Sequence, residues 1–265
     1  MKHTRLIVLI AIIVLSSFNL SFAYERVVLL APDAADIFHK LGLDSVVVGK
    51  TRNVKLFKNA TVVGTHLTVN TEILLSLKPD LIVVRNRTKF NLPKLKKAKI
   101  LIYNPHTLNE ILKEIELIGE MFNKKEKAKE LINSLTDKIK HLKTIDKKPK
   151  VVFEVMQTPY LLAGKRCIVS DIIKTAGGIN IIDKNRMFVR AQEESILLKK
   201  PDIYIYEVGP MNRNPIPPNK RVMFKNYKML VIKVDESKFL RSNTVSFDDV
   251  VFLNNIFYNW SKKKR

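Results

Sequence analysis

Glu72-Ile-Leu-Leu-Ser-Leu-Lys-Pro-Asp80 and Glu194-Ser-Ile-Leu-Leu-Lys-Lys-Pro-Asp202 are one unit written twice, once in each half of the chain. A glutamate opens it, a short apolar helix follows, and Lys-Pro-Asp closes it. The proline forbids further helix, and an apolar, β-branched run begins at once, residues 81–84 in the first copy and 203–206 in the second. A second pair reinforces the first. Asp36-Ile-Phe-His-Lys-Leu-Gly42 matches Asp171-Ile-Ile-Lys-Thr-Ala-Gly177, each a helical pattern stopped by glycine.

Outward from these units the rhythm is regular. Residues 26–30, 45–48, 61–63, 80–84 and 99–103 read as strands, with helices at 33–41 and 71–77. In the second half, 150–155, 202–206 and 229–234 read as strands, and 169–176, 193–198 and 246–262 as helices. The stretch 210–218 is proline-rich and reads as a loop. Strand and helix in alternation predict α/β layers with largely parallel sheets. Between the halves, Leu108, Ile111, Leu112, Ile115, Ile118, Phe122, Leu131, Leu135, Ile139 and Leu142 recur at helical steps, with no proline from 107 to 142. This is one long amphipathic helix, or two sharing an axis with a break near Asn123. A single helix of that length spans roughly 50 Å. The expected layout is a first lobe at 24–106, a connecting long helix at 107–145 and a second lobe at 146–265.

The 265 residues are 46% hydrophobic and 27% charged, enough for a folded core and inconsistent with a disordered or low-complexity chain. One cysteine, Cys167, excludes an internal disulfide framework and a multi-cysteine zinc site, and it reads as structural. The formal charge of +22 raises two possibilities, nucleic acid and anionic surfaces. The first residues decide against the former. Lys2 and Arg5 precede an apolar run, Leu6 to Leu15, and then Ser21-Phe22-Ala23. That run is too short for the ~20 residues of a bilayer span, and its flanks are those of a secretory signal peptide cleaved after Ala23. An uncleaved anchor helix is the alternative. An exported, disulfide-free protein suits a periplasm, and export argues against DNA or RNA as a partner.

The duplicated unit, together with Val62-Val63-Gly64, Val151, Phe153-Glu154, Gly164 and Ala176-Gly177-Gly178-Ile179-Asn180, resembles the periplasmic substrate-binding proteins of ABC importers for cobalamin, haem and ferric siderophores. The resemblance covers nearly the whole mature chain. It implies two Rossmann-like α/β lobes joined by one long connecting helix, with a ligand cleft between the lobes. It implies no enzyme and no catalytic residue, no metal site or cofactor of the protein's own, a metal chelate as ligand, and a monomer working with an ABC permease in the inner membrane. It also implies that one glutamate on each lobe docks arginines of that permease, and Glu72 and Glu194 stand at those positions. Each opens a helix, where the partial positive charge of the first turn favours an anion. Asn70 or Thr71 can cap the first of these helices.

Ligands in open α/β layers lie beyond the carboxyl ends of the strands. Among the loops there, Arg52, Arg85, Arg87 and Arg186 can pair with carboxylates or phosphate on a chelate, or remain solvated. Tyr160 and Phe188 can stack on a macrocycle or a catechol ring, or simply pack at a lobe edge. His66 can ligate a metal centre or lie at the surface. Trp260 belongs to the apolar face of the last helix and reads as core. Few aromatic residues lie between 48 and 61, which tilts the reading from a corrinoid toward an anionic iron chelate or haem. Two rivals are a tetrapyrrole-handling enzyme such as a chelatase and a polyanion- or membrane-surface-binding protein. Against the first stands the absence of a Ser-His-Asp set, a glycine-rich phosphate loop or a His-Glu-x-x-His motif.

Overall fold

A computed structural model describes residues 24–65, 68–86 and 98–263. The signal peptide expected at 1–23, His66 and Arg87 lie outside the described residues.

The first half forms a parallel sheet from β1 (Val27–Leu29), β2 (Val47–Thr51), β3 (Thr61–Gly64), β4 (Leu81–Val84) and β5 (Lys99–Ile102), in the order β3-β2-β1-β4-β5. Helices α1 (Ala34–Lys40) and α2 (Thr71–Ser76) connect its strands. The central strands β1 and β4 are buried along their whole length, which is why they read as unbroken apolar runs rather than alternating ones. Val27, Leu29, Leu81 and Val83 face the main core, while Val28, Leu30, Ile82 and Val84 pack with Leu74 of α2.

The stretch expected as one long helix is two, α3 (Leu108–Met121) and α4 (Lys125–Lys140). The break falls at Asn123, whose φ is +54°, and the Lys124 N–H closes back on the Gly119 carbonyl at 2.7 Å. Asparagine tolerates this left-handed turn, which ends a helix and redirects the chain. The helices do not share an axis but pack side by side. A Cβ on Gly119 would stand 2.4 Å from the Ala128 Cβ, so the contact requires glycine. Phe122 rests on Tyr24 and Phe38 of the first lobe, while the Leu108 N–H bonds Asp171 of the second at 2.8 Å. After α4, the Lys143 N–H bonds Asn254 at 2.8 Å. The chain thus runs from the second lobe to the first along α3 and back along α4. Apolar periodicity is equal on both sides of the break, so it cannot register the reversal.

The second half builds a mixed sheet from β6 (Lys150–Met156), β7 (Leu161–Ala163), β8 (Ile179–Asn180), β9 (Phe188–Arg190), β10 (Ile203–Val208) and β11 (Leu230–Asp235). The order is β11-β10-β6-β7-β9, with β8 beside β6. β10 is parallel to β6 and β11, whereas β7 is antiparallel to both neighbours. Helices α5 (Ile168–Thr175), α6 (Glu193–Leu198), α7 (Glu236–Phe239) and α8 (Val245–Lys263) complete the lobe. Phe188, taken from sequence as a loop residue, is therefore on an edge strand.

The duplication is carried by the backbone. Lys78 and Lys200, each just before the proline, take φ of +44° and +51°, and Gly42 and Gly177 take +72° and +92°. The Asp80 carboxylate accepts the N–H groups of Glu25 and Arg26 at 2.8 and 3.0 Å, and Asp202 accepts that of Lys150 at 2.9 Å. Each aspartate therefore ties its own strand to the start of the neighbouring central strand. The second matched pair works reciprocally. Asp171 of the second lobe holds the first N–H of α3, and Asp36 of the first lobe accepts the Thr244 N–H and hydroxyl at 3.2 and 2.6 Å, immediately before α8. One apolar core runs continuously from β1 through α3 and α4 to β6, β10 and α8.

Candidate functional site

Parallel topology brings the carboxyl ends of both sheets to the seam between the lobes. Arg85 leaves the end of β4 half-buried. Its Nε donates to Asn104 Oδ1 at 3.0 Å, and its Nη2 points at the Met187 Sδ of the second lobe at 3.9 Å. With Asn104 Oδ1 accepting from Arg85, Asn104 Nδ2 donates to His106 Nε2 at 3.2 Å, which leaves the imidazole proton on Nδ1. That atom is buried against the backbone of Arg166 from the second lobe. Burial lowers the His106 pKa, and the Arg166 guanidinium across the seam lowers it further, against the opposing pull of Glu110. His106 is therefore biased toward its neutral form beside two arginines.

Deeper in the seam the lobes are stitched together. The Tyr103 hydroxyl donates to the Ser242 carbonyl at 2.5 Å, and Arg241 pairs with Asp33 at 3.3 Å. Glu207, at the end of β10, is fully buried, and neither carboxylate oxygen has a partner among the described residues. Burial pushes its pKa up to about 9, helped by the charges of Glu236 and Glu154. Cys167 caps the approach to α5, buried, with its thiol pushed up to about 12 by that burial, so it is inert.

The expected ligand residues do not all gather at this point. Arg85 does. Arg186, exposed, precedes Met187, and its carbonyl accepts the Arg166 N–H at 3.2 Å. Phe188 is half-buried on β9 and packs against the main core. Arg52 is exposed beyond β2, its N–H bonded to the Gly64 carbonyl at 2.8 Å. Tyr160 belongs to a different network: its hydroxyl bonds that of Tyr204 at 2.7 Å, and Tyr204 donates to Glu154 at 2.5 Å. Asn104 and His106 are not singled out by the sequence, whereas Met187 and Glu207 fall in two loops, 186–188 and 207–209, that it places after strands of the second lobe. The rule that places ligands after strands covers the first two, since Tyr103-Asn104-Pro105-His106 directly follows β5.

Glu72 and Glu194 are exposed in the first turns of α2 and α6. Because each helix precedes a parallel strand, both glutamates lie at the carboxyl edge of their sheets, the edge that forms the seam. Asn70, not Thr71, caps α2. A depression of about 460 Å3 beside Glu194 is lined by Gln157, Thr158, Tyr160, Gln192 and Glu193. A larger one, about 520 Å3, lies at the opposite end of β10 and β11, where buried Trp260 borders it. Among the described residues, no group of three or more His, Cys, Asp or Glu side chains could hold a metal ion, and no helix is long and apolar enough to cross a membrane.

Comparison with known proteins accounts for this layout. The family model described as periplasmic binding protein matches residues 27–215. The high-affinity haem uptake system protein IsdE of Staphylococcus aureus is 31% identical over 176 residues, 62% of this chain. The aligned chain spans 60% of the length of that curated relative. The solved structure of S. aureus IsdE complexed with haem superposes with a TM-score of 0.70 at 26% identity, covering 88% of this chain and 98% of that one. The vitamin B12 binding protein BtuF of Vibrio cholerae shares the fold with a TM-score of 0.70 at 20% identity, covering 91% and 99% of the two chains. With most of its length matched by the family model, and both lobes and their seam shared with these structures, the chain belongs to the periplasmic binding protein family.

Proposed function

We propose that this protein is the exported solute-binding component of an ABC importer, that it takes an anionic metal chelate of the haem class into its seam, and that it delivers this cargo to a permease through Glu72 and Glu194. In this reading it acts as a monomer, carries out no reaction, and loses residues 1–23 on export. The observation that carries the cargo class is the meeting of Arg85 with Met187 across the lobes, beside a His106 biased toward its neutral form. Arginines suit carboxylates at the rim of a chelate, and a thioether sulfur suits its iron. The 31% identical relative is named for haem uptake, which supports the same choice. Cobalamin has less support, since neither its corrin ring nor its cobalt calls for several cations.

Haemin added to the purified protein is expected to saturate at one equivalent and to shift the Soret band, whereas cobalamin and ferric siderophores bind more weakly. Met187→Ala and His106→Ala are each expected to weaken haemin by about tenfold or more, the scale of losing one ordered contact to a metal complex. Binding that vanished with added salt, with no stoichiometric end point, would return the protein to the rival reading of a polyanion-binding surface. Docking is tested separately. Glu72→Ala combined with Glu194→Ala is expected to leave haemin affinity unchanged and to abolish uptake; loss of haemin affinity in that variant would remove the docking role.

A further inference from the structure

The two helices that carry the docking glutamates are held in different ways. In α2, Asn70 Oδ1 accepts the Ile73 N–H at 3.0 Å, and this cap fixes the first turn around Glu72. In α6 the corresponding residue is Gln192, whose side chain makes no capping bond. Within that turn the Ser195 hydroxyl donates to the Gln192 carbonyl at 2.7 Å, and the tie on the Glu193 side chain comes from far along the chain. Arg221 Nη1 donates to Glu193 Oε1 at 3.1 Å, and Glu193 immediately precedes Glu194.

Arg221 is well built for holding something still. Its Nη1 and Nη2 donate to the two oxygens of Glu154 at 2.5 and 2.8 Å, and its Nε donates to the Ile216 carbonyl at 2.8 Å. Arg221 is 5% exposed and Glu154 is 0% exposed. Ile216 in turn donates to Gln157 Oε1 at 2.7 Å, on the wall of the depression beside Glu194. The guanidinium is therefore fixed in plane and position before it reaches Glu193. A six-residue helix has little cooperativity of its own, so its first turn frays unless something outside it restrains it.

We propose that Arg221 is the positioning residue of the second docking glutamate: by holding Glu193 it does for α6 what Asn70 does for α2. The proposal rests on the docking reading of Glu72 and Glu194. Arg221 lies beyond residues 27–215, so the family match does not assign it.

The test uses the full mature chain, its cognate permease in nanodiscs, and haemin as the ligand probe. Glu193→Gln keeps the Arg221–Glu154 pair and removes only the charged tie. It is expected to weaken permease binding by about tenfold at unchanged haemin affinity. Amide exchange is expected to quicken in residues 193–198 and to stay constant in residues 71–76. Arg221→Lys, which cannot fork between Glu154 and Glu193, is expected to act in the same direction. If Glu194→Ala lost the permease while Glu193→Gln and Arg221→Lys kept it, positioning by Arg221 would be wrong and docking would stand. If Glu72→Ala and Glu194→Ala both kept it, the docking reading would fall and this proposal with it.

Discussion

Arg221→Met is expected to lower the unfolding free energy by about 3–5 kcal/mol, the cost of leaving one partner of a buried ion pair alone. Glu154 is fully buried, and both of its oxygens are gripped by the guanidinium, with the Tyr204 hydroxyl as its remaining donor. Methionine fills similar volume, so the loss is electrostatic rather than a cavity. The stranded carboxylate either stays charged against its desolvation or takes up a proton. Adding Glu154→Gln to Arg221→Met removes the stranded charge and is expected to recover most of the loss. Urea midpoints at pH 7 for the two variants decide it. A single variant within 1 kcal/mol of the parent would show that water reaches Glu154 and that the pair contributes little.

The second large effect concerns pH. Glu207 has its carboxyl pushed up to about 9 by burial first, then by Glu236 of α7 and Glu154 of β6, with Asp235 of β11 adding to them and Arg241 opposing. In the unfolded chain it ionises near 4.5. Below that value both states hold the proton and no cost arises. Between about 4.5 and about 9 the folded state keeps a proton that the unfolded state has released, so stability falls as pH rises. At about 1.4 kcal/mol per pH unit, the cost at pH 7 is about 3 kcal/mol. Glu207→Gln mimics the protonated carboxyl at every pH. It is expected to stabilise the protein by about that amount at pH 7 and by little at pH 4.5. Glu114 and Asp249, each raised to about 7 chiefly by burial, give a residual slope of the same sign below neutrality. A parent protein as stable at pH 8.5 as at pH 5 would contradict the assignment.

What sequence could and could not reveal follows from the range of each signal. Proline, glycine and unbroken β-branched runs act within a few residues. The Lys-Pro-Asp unit therefore gave away the strands β4 and β10, and the glycine stops marked the ends of α1 and α5. β7 and β9 are not legible, because three-residue strands carry too few alternations to stand out. Asn123 was recognised as a possible break, but a helical period has no sign, and whether the chain continues or doubles back depends on one φ angle. The site was less legible still. Arg85 was chosen for its place after a strand, while its partner Met187 is 102 residues away. Arg221 and Glu154 are 67 residues apart, and Arg221 stands after a proline-rich loop with no local feature to distinguish it from the many other basic residues. For Tyr160 the sequence offers stacking or packing at a lobe edge, and the engagement of its hydroxyl with Tyr204, 44 residues away, has no local signal.

Asp36 of the first lobe secures the chain just before α8 of the second, and Asp171 secures the start of α3, the helix that leads back to the first. Such crossed fastening resembles two hands each holding the other's wrist. Swinging the halves wide apart would break these bonds to part-buried carboxylates, each worth about 1.5–3 kcal/mol. In the proposed reading, cargo then enters through small parting movements at the rim, and the spacing of Glu72 and Glu194 stays nearly the same on loading. A transporter reading only that spacing could not tell the two apart, and would have to sense the cargo itself.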